Sequence, residues 1–171
     1  MASGNTLVVF TPLGYEPPAT KYATLDTRNA HPVLDFDATV TSTNEEAAVW
    51  TGVMPQNYSG GGITVYAHWA ATSATNNTTG VVWRTSFERI GNGSQDLDVD
   101  GFATAKTWSA SLTSSTSGNV TIASQAHTDG AEIDSIAVGE SFRFKIERVA
   151  ADAGDTMTGD AELVAVELRE T

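Results

Sequence analysis

The chain has 171 residues, a net charge of −12, 40% hydrophobic residues and no cysteine, with an isoelectric point near 4.4. A chain of this length is about one domain and buries roughly 70% of its unfolded surface. Lack of cysteine excludes a disulfide framework, a thiolate metal site and a thiol nucleophile. The acidity, with basic residues scattered and never in a run, excludes a phosphate-backbone partner, so no nucleic acid is expected.

The opening, MASGNTLVVF, has neither a basic segment nor a long apolar run, and no later stretch approaches a membrane span. The expectation is a protein made in a cytoplasm that stays soluble, and the Asn-x-Ser/Thr triplets at Asn57, Asn76, Asn77, Asn92 and Asn119 are read as chance products of a Ser/Thr/Asn-rich sequence. Residues 1–30 read as an N-terminal extended arm, with one short strand at 7–10 and then Pro12, Gly14, Pro17 and Pro18 breaking regular structure. Such an arm either packs along the body or reaches to a neighbour; the sequence leaves both open.

Residues 31–171 read as a single β-sandwich domain. Strands are predicted over 33–39, 46–53, 63–70, 81–90, 103–112, 119–125, 141–149 and 161–169, separated by NYSGGG, SATNNTTG, GNGSQ and TSSTSG turns. In 63–70, Ile63, Val65, Ala67 and Trp69 alternate with Thr64, Tyr66 and His68. Phe142, Phe144 and Ile146 alternate with Arg143, Lys145 and Glu147. Val164, Val166 and Leu168 repeat the pattern, with Leu163 on the other face. Helix is limited to one turn at 43–48. Eight strands at this spacing predict an all-β, eight-stranded antiparallel β-sandwich, with a jelly roll preferred over an immunoglobulin-like sandwich, whose Cys and Trp landmarks are missing.

Chemistry-bearing constellations are few. Asp96, Asp98 and Asp100, followed by Gly101, put carboxylates at alternate positions and could wrap a calcium ion, but position twelve of an EF-hand loop falls on Thr107, which supplies no bidentate carboxylate. Asp152, Asp155 and Asp160 read as a solvated hairpin turn. His31, His68 and His127 show no metal-ligand spacing. There is no Gly-x-Ser-x-Gly elbow, Gly60–Gly62 leads into a strand instead of a helix, and no two carboxylates stand out as a glycosidase pair, so no enzyme is expected. Trp69 and Trp108 share faces with apolar residues and read as core. Trp50, opposite Val49 and Val53, is the best candidate for exposure, and with Tyr58 and Tyr66 it could serve a ligand or an interface.

Three segments, LDFDATVTSTNEEAAVWTGVMPQNYSGGGITVYAHW, GVVWRTSFERI and RFKIERVAADAGDTMTGDAELVAVELRE, resemble a group of phage virion proteins. They share an "FDA" strand (36–38), a "V-MP-x-N-(W/Y)-x-GG" turn (53–61) and a closing "R-x-A-D-A-x-D-T-x-x-G-D-A-x-L-x-x-V" hairpin (148–166). The resemblance implies a head decoration (cement) protein on the outer capsid surface, stabilising the shell by contacts with the major capsid protein and self-associating as a homotrimer. The alternative is a glycan- or receptor-binding module of a tail or fibre. It brings no catalytic residues and no cofactor.

Overall fold

The computed structural model describes residues 4–38, 45–73, 77–93 and 95–171. The strand end at Thr39, the triplet at Asn76 and the first residues of the 43–48 turn lie outside them. In chain order the strands are β1 (Thr6–Phe10), β2 (Thr24–Arg28), β3 (His31–Phe36), β4 (Ala47–Val53), β5 (Ile63–Ala71), β6 (Gly80–Val81), β7 (Trp83–Ile90), β8 (Lys106–Thr107), β9 (Ser111–Leu112), β10 (Thr121–His127), β11 (Ser141–Arg148) and β12 (Ala161–Glu170). No helix among the described residues is long and apolar enough to cross a membrane.

The pairing defines the architecture. Leaving aside β1, β2 and the short β6–β9 pair, the first four strands pair with the last four in reverse order: β3 with β12, β4 with β11, β5 with β10 and β7 with β8. Lateral pairs β5–β12 and β7–β11 complete two antiparallel sheets, ordered β10-β5-β12-β3-β2 and β4-β11-β7-β8. This is one long antiparallel hairpin rolled into two layers, the jelly roll expected from eight strands. Its tip is the segment 91–105, which carries the acidic Asp96–Gly101 stretch. The predicted 103–112 strand is reduced to the two-residue ladders β8 and β9.

The described part of the 1–30 segment lies along the body. β1 adds to β12 beyond the end of β3, and Phe10 is buried. Glu16 and Tyr22 bridge to Val49 and Ala47, and β2 forms the sheet edge. Asn29 and Ala30, with φ of 47° and 66°, make the tight turn into β3. The prolines break the ladder without detaching the chain.

Between the sheets, Phe142, Phe144 and Ile146 face Val65, Ala67 and Trp69 in a dry core in which all six residues are fully buried. Phe36 and Trp69 meet Trp83 edge-on, with ring centroids 5.2 and 6.0 Å apart. β12 departs from simple alternation. Opposite β5, Leu163 pairs with Trp69 and Ala165 with His68, so Val164 is an extra residue. This bulge switches the parity of the strand. Ala161 and Leu163 point inward before it, Val166 and Leu168 after it, and Val164 is turned to the outer face.

The loop between β11 and β12 corrects the reading of its aspartates. Asp152 is exposed, but Asp155 is buried against Arg148, and both side chains are almost fully removed from solvent. All five guanidinium N–H groups of Arg148 are used. Nε and Nη2 donate to the two Asp155 oxygens (3.0 and 2.8 Å), Nη2 also to the Met157 carbonyl (2.6 Å), and Nη1 to the Phe36 and Gly159 carbonyls (3.0 and 2.8 Å). Asp155 also accepts from the Val82 N–H at 3.1 Å. The loop is fastened to β3 and the start of β7 through an internal ion pair.

Candidate ligand groove

The outer face of the larger sheet carries an open groove of about 500 Å³. Its floor comes from three adjacent strands: Val33 of β3, Glu162 and Val164 of β12, and Ala70 of β5. The bulge puts Val164 there. One wall is the β2–β3 hairpin tip with Arg28, Asn29 and His31; the other is the 117–120 segment that leads into β10.

Arg28 ties the walls together. Its Nη2 donates to Ser117 Oγ at 2.7 Å, and its Nη1 pairs with Glu162 and reaches the Ala71 carbonyl at 3.4 Å. Ser117 Oγ donates to the Thr72 carbonyl at 2.7 Å. Gly118 makes room for this arrangement: a Cβ there would come within 2.8 Å of the guanidinium, and its φ of +79° suits glycine. The frame is therefore set before any ligand arrives, while Asn29, His31 and Asn119 stay exposed with free hydrogen-bonding capacity at the rim.

Beside the floor, Asp35 of β3 stands opposite Glu162 of β12. Burial, then the charges of Glu162, Asp26 and Asp160, push the Asp35 carboxyl up to about 6. In the core, burial and then the Lys106 charge push His127 down to about 4; its Nε2 lies 2.9 Å from Thr85 Oγ1. These shifts have opposite consequences for stability. Folded Asp35 holds its proton above the usual carboxylate range, so that stability is full below about 3.8 and is lost as pH rises to about 6. Unfolded His127 takes a proton that the folded chain refuses, so that stability is full above 6.5 and is lost as pH falls to about 4. We expect Asp35→Asn to match wild type near pH 4 and to exceed it increasingly toward pH 6 in urea midpoint. The His127 ring should titrate near 4 by NMR. A gap between the two proteins that is constant with pH would refute the Asp35 assignment.

The site residues expected from sequence are not brought together. Trp50 is not exposed: it is buried between Phe10 and Phe144, and its indole N–H donates to the Thr11 carbonyl at 2.9 Å. Trp50 shares the inward parity of Ala48, while Val49 and Val53 take the outer one, with Val53 exposed, so the apolar Val49/Val53 pair does not mark the dry face. Tyr58 is buried at a separate cavity of about 370 Å³, its hydroxyl donating to Asp129 (2.9 Å) and accepting from the Gly62 N–H (3.2 Å). Burial first, then the Asp129 bond, push its phenol up to about 12. Tyr66 lies on the outer sheet face, but Arg169 sits 4.1 Å from its ring centroid and covers one face.

Asp96, Asp98 and Asp100 do not converge. Asp96 Oδ1 accepts the Asp98 N–H (3.0 Å), and Asp100 Oδ1 accepts the N–H of Gly101 (3.0 Å), so two of the carboxylates close local turns. Among the described residues no three His, Asp or Glu side chains are grouped to hold a metal ion. The three histidines lie apart: His31 on the groove, His68 3.9 Å from Glu167 on the open sheet, His127 in the core. Sequence reading missed Arg28, Asn29, Asn119 and Glu162. The available signal was Asn29-Ala30 between two alternating runs, obscured when 1–30 is taken as one arm.

No family model and no curated protein matches the chain. Among solved structures it is similar to a xylan-binding module CBM15, with a TM-score of 0.48 and 10% identity over 96% of this chain and 97% of that one. It is also similar to Xylanase10C from Cellvibrio japonicus in complex with xylopentaose (TM-score 0.46, 9% identity, all of this chain). A third likeness is to the CBM22-1–GH10 modules of Clostridium thermocellum xylanase 10B complexed with xylohexaose (TM-score 0.44, 12% identity, 99% of this chain). The chain spans 28% of each of the last two.

Proposed function

We propose that the protein is a glycan-binding β-sandwich module that holds its ligand in the groove on the larger sheet. The observation that carries this is the groove itself: an open channel floored by Val33, Ala70, Val164 and Glu162, with a frame fixed by the contacts of Arg28 to Ser117 and Glu162. Its exposed amides and imidazole suit the alternating donors and acceptors of sugar hydroxyls. With the sequence resemblance to phage virion proteins, the place proposed for such a module is a tail or fibre. From Gly4 to Ala30 the N-terminal segment lies along the body, the first of the two arrangements the sequence leaves open.

The test is affinity electrophoresis of the full chain through gels containing soluble polysaccharides. Retardation by at least one polymer is expected. His31→Ala and Asn119→Ala should each weaken it by about tenfold, a loss of ~1.4 kcal/mol, while Ser124→Ala, outside the groove, should not. Retention of full binding by both groove variants would place the site elsewhere.

A further inference from the structure

Among the groove-lining residues there is one guanidinium, and its charge is already matched. Arg28 faces Glu162, whose side chain is only 8% exposed, and its remaining contacts are to Ser117 and the Ala71 carbonyl. His31 at the rim is the other lining group that can carry positive charge. Against these stand several carboxylates on or beside the same face. Asp35 is directly across from Glu162, Asp26 of β2 is across from Val33 of the floor, and Asp160 immediately precedes β12.

The charges of Glu162, Asp26 and Asp160 act together on this face, where they add to burial, the larger cause, in keeping the Asp35 carboxyl from ionising. A further negative charge brought into the groove would meet the same charges, weakly screened next to the protein surface. An uncharged chain of hydroxyls meets no such penalty. We propose that the groove selects an uncharged glycan and rejects one carrying carboxylates or sulfate esters, with Asp26, Asp35 and Glu162 setting that choice. This rests on the glycan reading above.

Matched polymers separate the two ideas: hydroxyethylcellulose against carboxymethylcellulose, methyl-esterified against de-esterified homogalacturonan, and linear xylan against glucuronoxylan. Each is run in affinity gels with the full chain near neutral pH at low salt. In any pair that binds, the neutral member should bind at least about tenfold tighter. Salt near 0.5 M should narrow that ratio by screening, and so should the Asp26→Asn/Asp35→Asn double variant. Glu162→Gln leaves Arg28 without its counter-charge and should bring measurable binding of the acidic member. Equal or tighter binding of the acidic member by wild type overturns the selectivity, as does an unchanged ratio in a folded double variant. Binding of no polymer at all removes the glycan reading together with the selectivity.

Discussion

Replacing Arg148 with methionine should lower the stability of the fold by about 3–5 kcal/mol, the usual cost of removing one partner from a buried ion pair. Methionine fills much of the volume but donates nothing. The Asp155 carboxylate would stay buried without its charge partner, and the carbonyls of Phe36, Met157 and Gly159 would lose their donor. Asp155→Asn should be less severe, because the amide keeps the shape and one acceptor. Removing both partners with Arg148→Met/Asp155→Leu should recover only part of the loss, since the three carbonyls and the Val82 N–H remain unpaired. Urea unfolding followed by tryptophan fluorescence reads the series. A single-variant loss under about 1 kcal/mol would mean that the loop is held by other contacts.

Trp50→Ala should cost about 3–5 kcal/mol, as for other large-to-small changes at buried aromatics. Trp50 stacks on Phe10 at 5.6 Å and Phe144 at 6.2 Å, and its N–H satisfies the Thr11 carbonyl. Removing the ring therefore loosens the 4–16 segment along with the core. Limited proteolysis should cut the variant within that segment first. Glycan binding by the folded fraction should be unchanged, because the groove lies on the outer face of the opposite sheet. A variant of near-native stability that has lost glycan binding would restore Trp50 as an exposed platform.

Much of the fold is legible in the sequence because a strand with one dry face writes its own period. Phe142, Phe144 and Ile146, and Ile63 to Trp69, fill the core as their alternation predicts. Eight such runs joined by turn residues suffice to choose a jelly roll. Alternation fails where tertiary contact bears on both faces of a strand. Ala48 and Trp50 face the core, yet Ala47 and Val49 of the outer parity are buried too, and residues 16–23 hydrogen-bond along the edge of β4 at Val49 and Ala47, so four consecutive buried residues do not mark which face is dry. It fails again at Val164, where one extra residue reverses the pattern without leaving a glycine or proline as a marker.

The groove was hidden for a related reason. Its walls come from 28–31 and 117–120, far apart in the chain, and its floor from three strands that only the rolled pairing makes adjacent. Composition can mark Asn29 or Asn119 as loop residues but cannot place them across from one another. Asp155 was misjudged likewise: an aspartate in a Gly- and Thr-rich loop looks solvated until a guanidinium is found beneath it.

The rolled pairing also governs how this protein is born. β12, the last strand of the roll, takes an interior place in the larger sheet, between β5 on one side and β3 and β1 on the other. While a ribosome is still making residues 161–170, β3 and β5 have no strand between them, and Phe36 and Trp69 lack their lateral neighbours Ala161 and Leu163. Non-local closure of this kind is slow, and exposed strand edges in a nascent chain invite association. The larger sheet can therefore close only after β12 has been made, and a nascent chain stalled before residue 161 should expose the facing edges of β3 and β5.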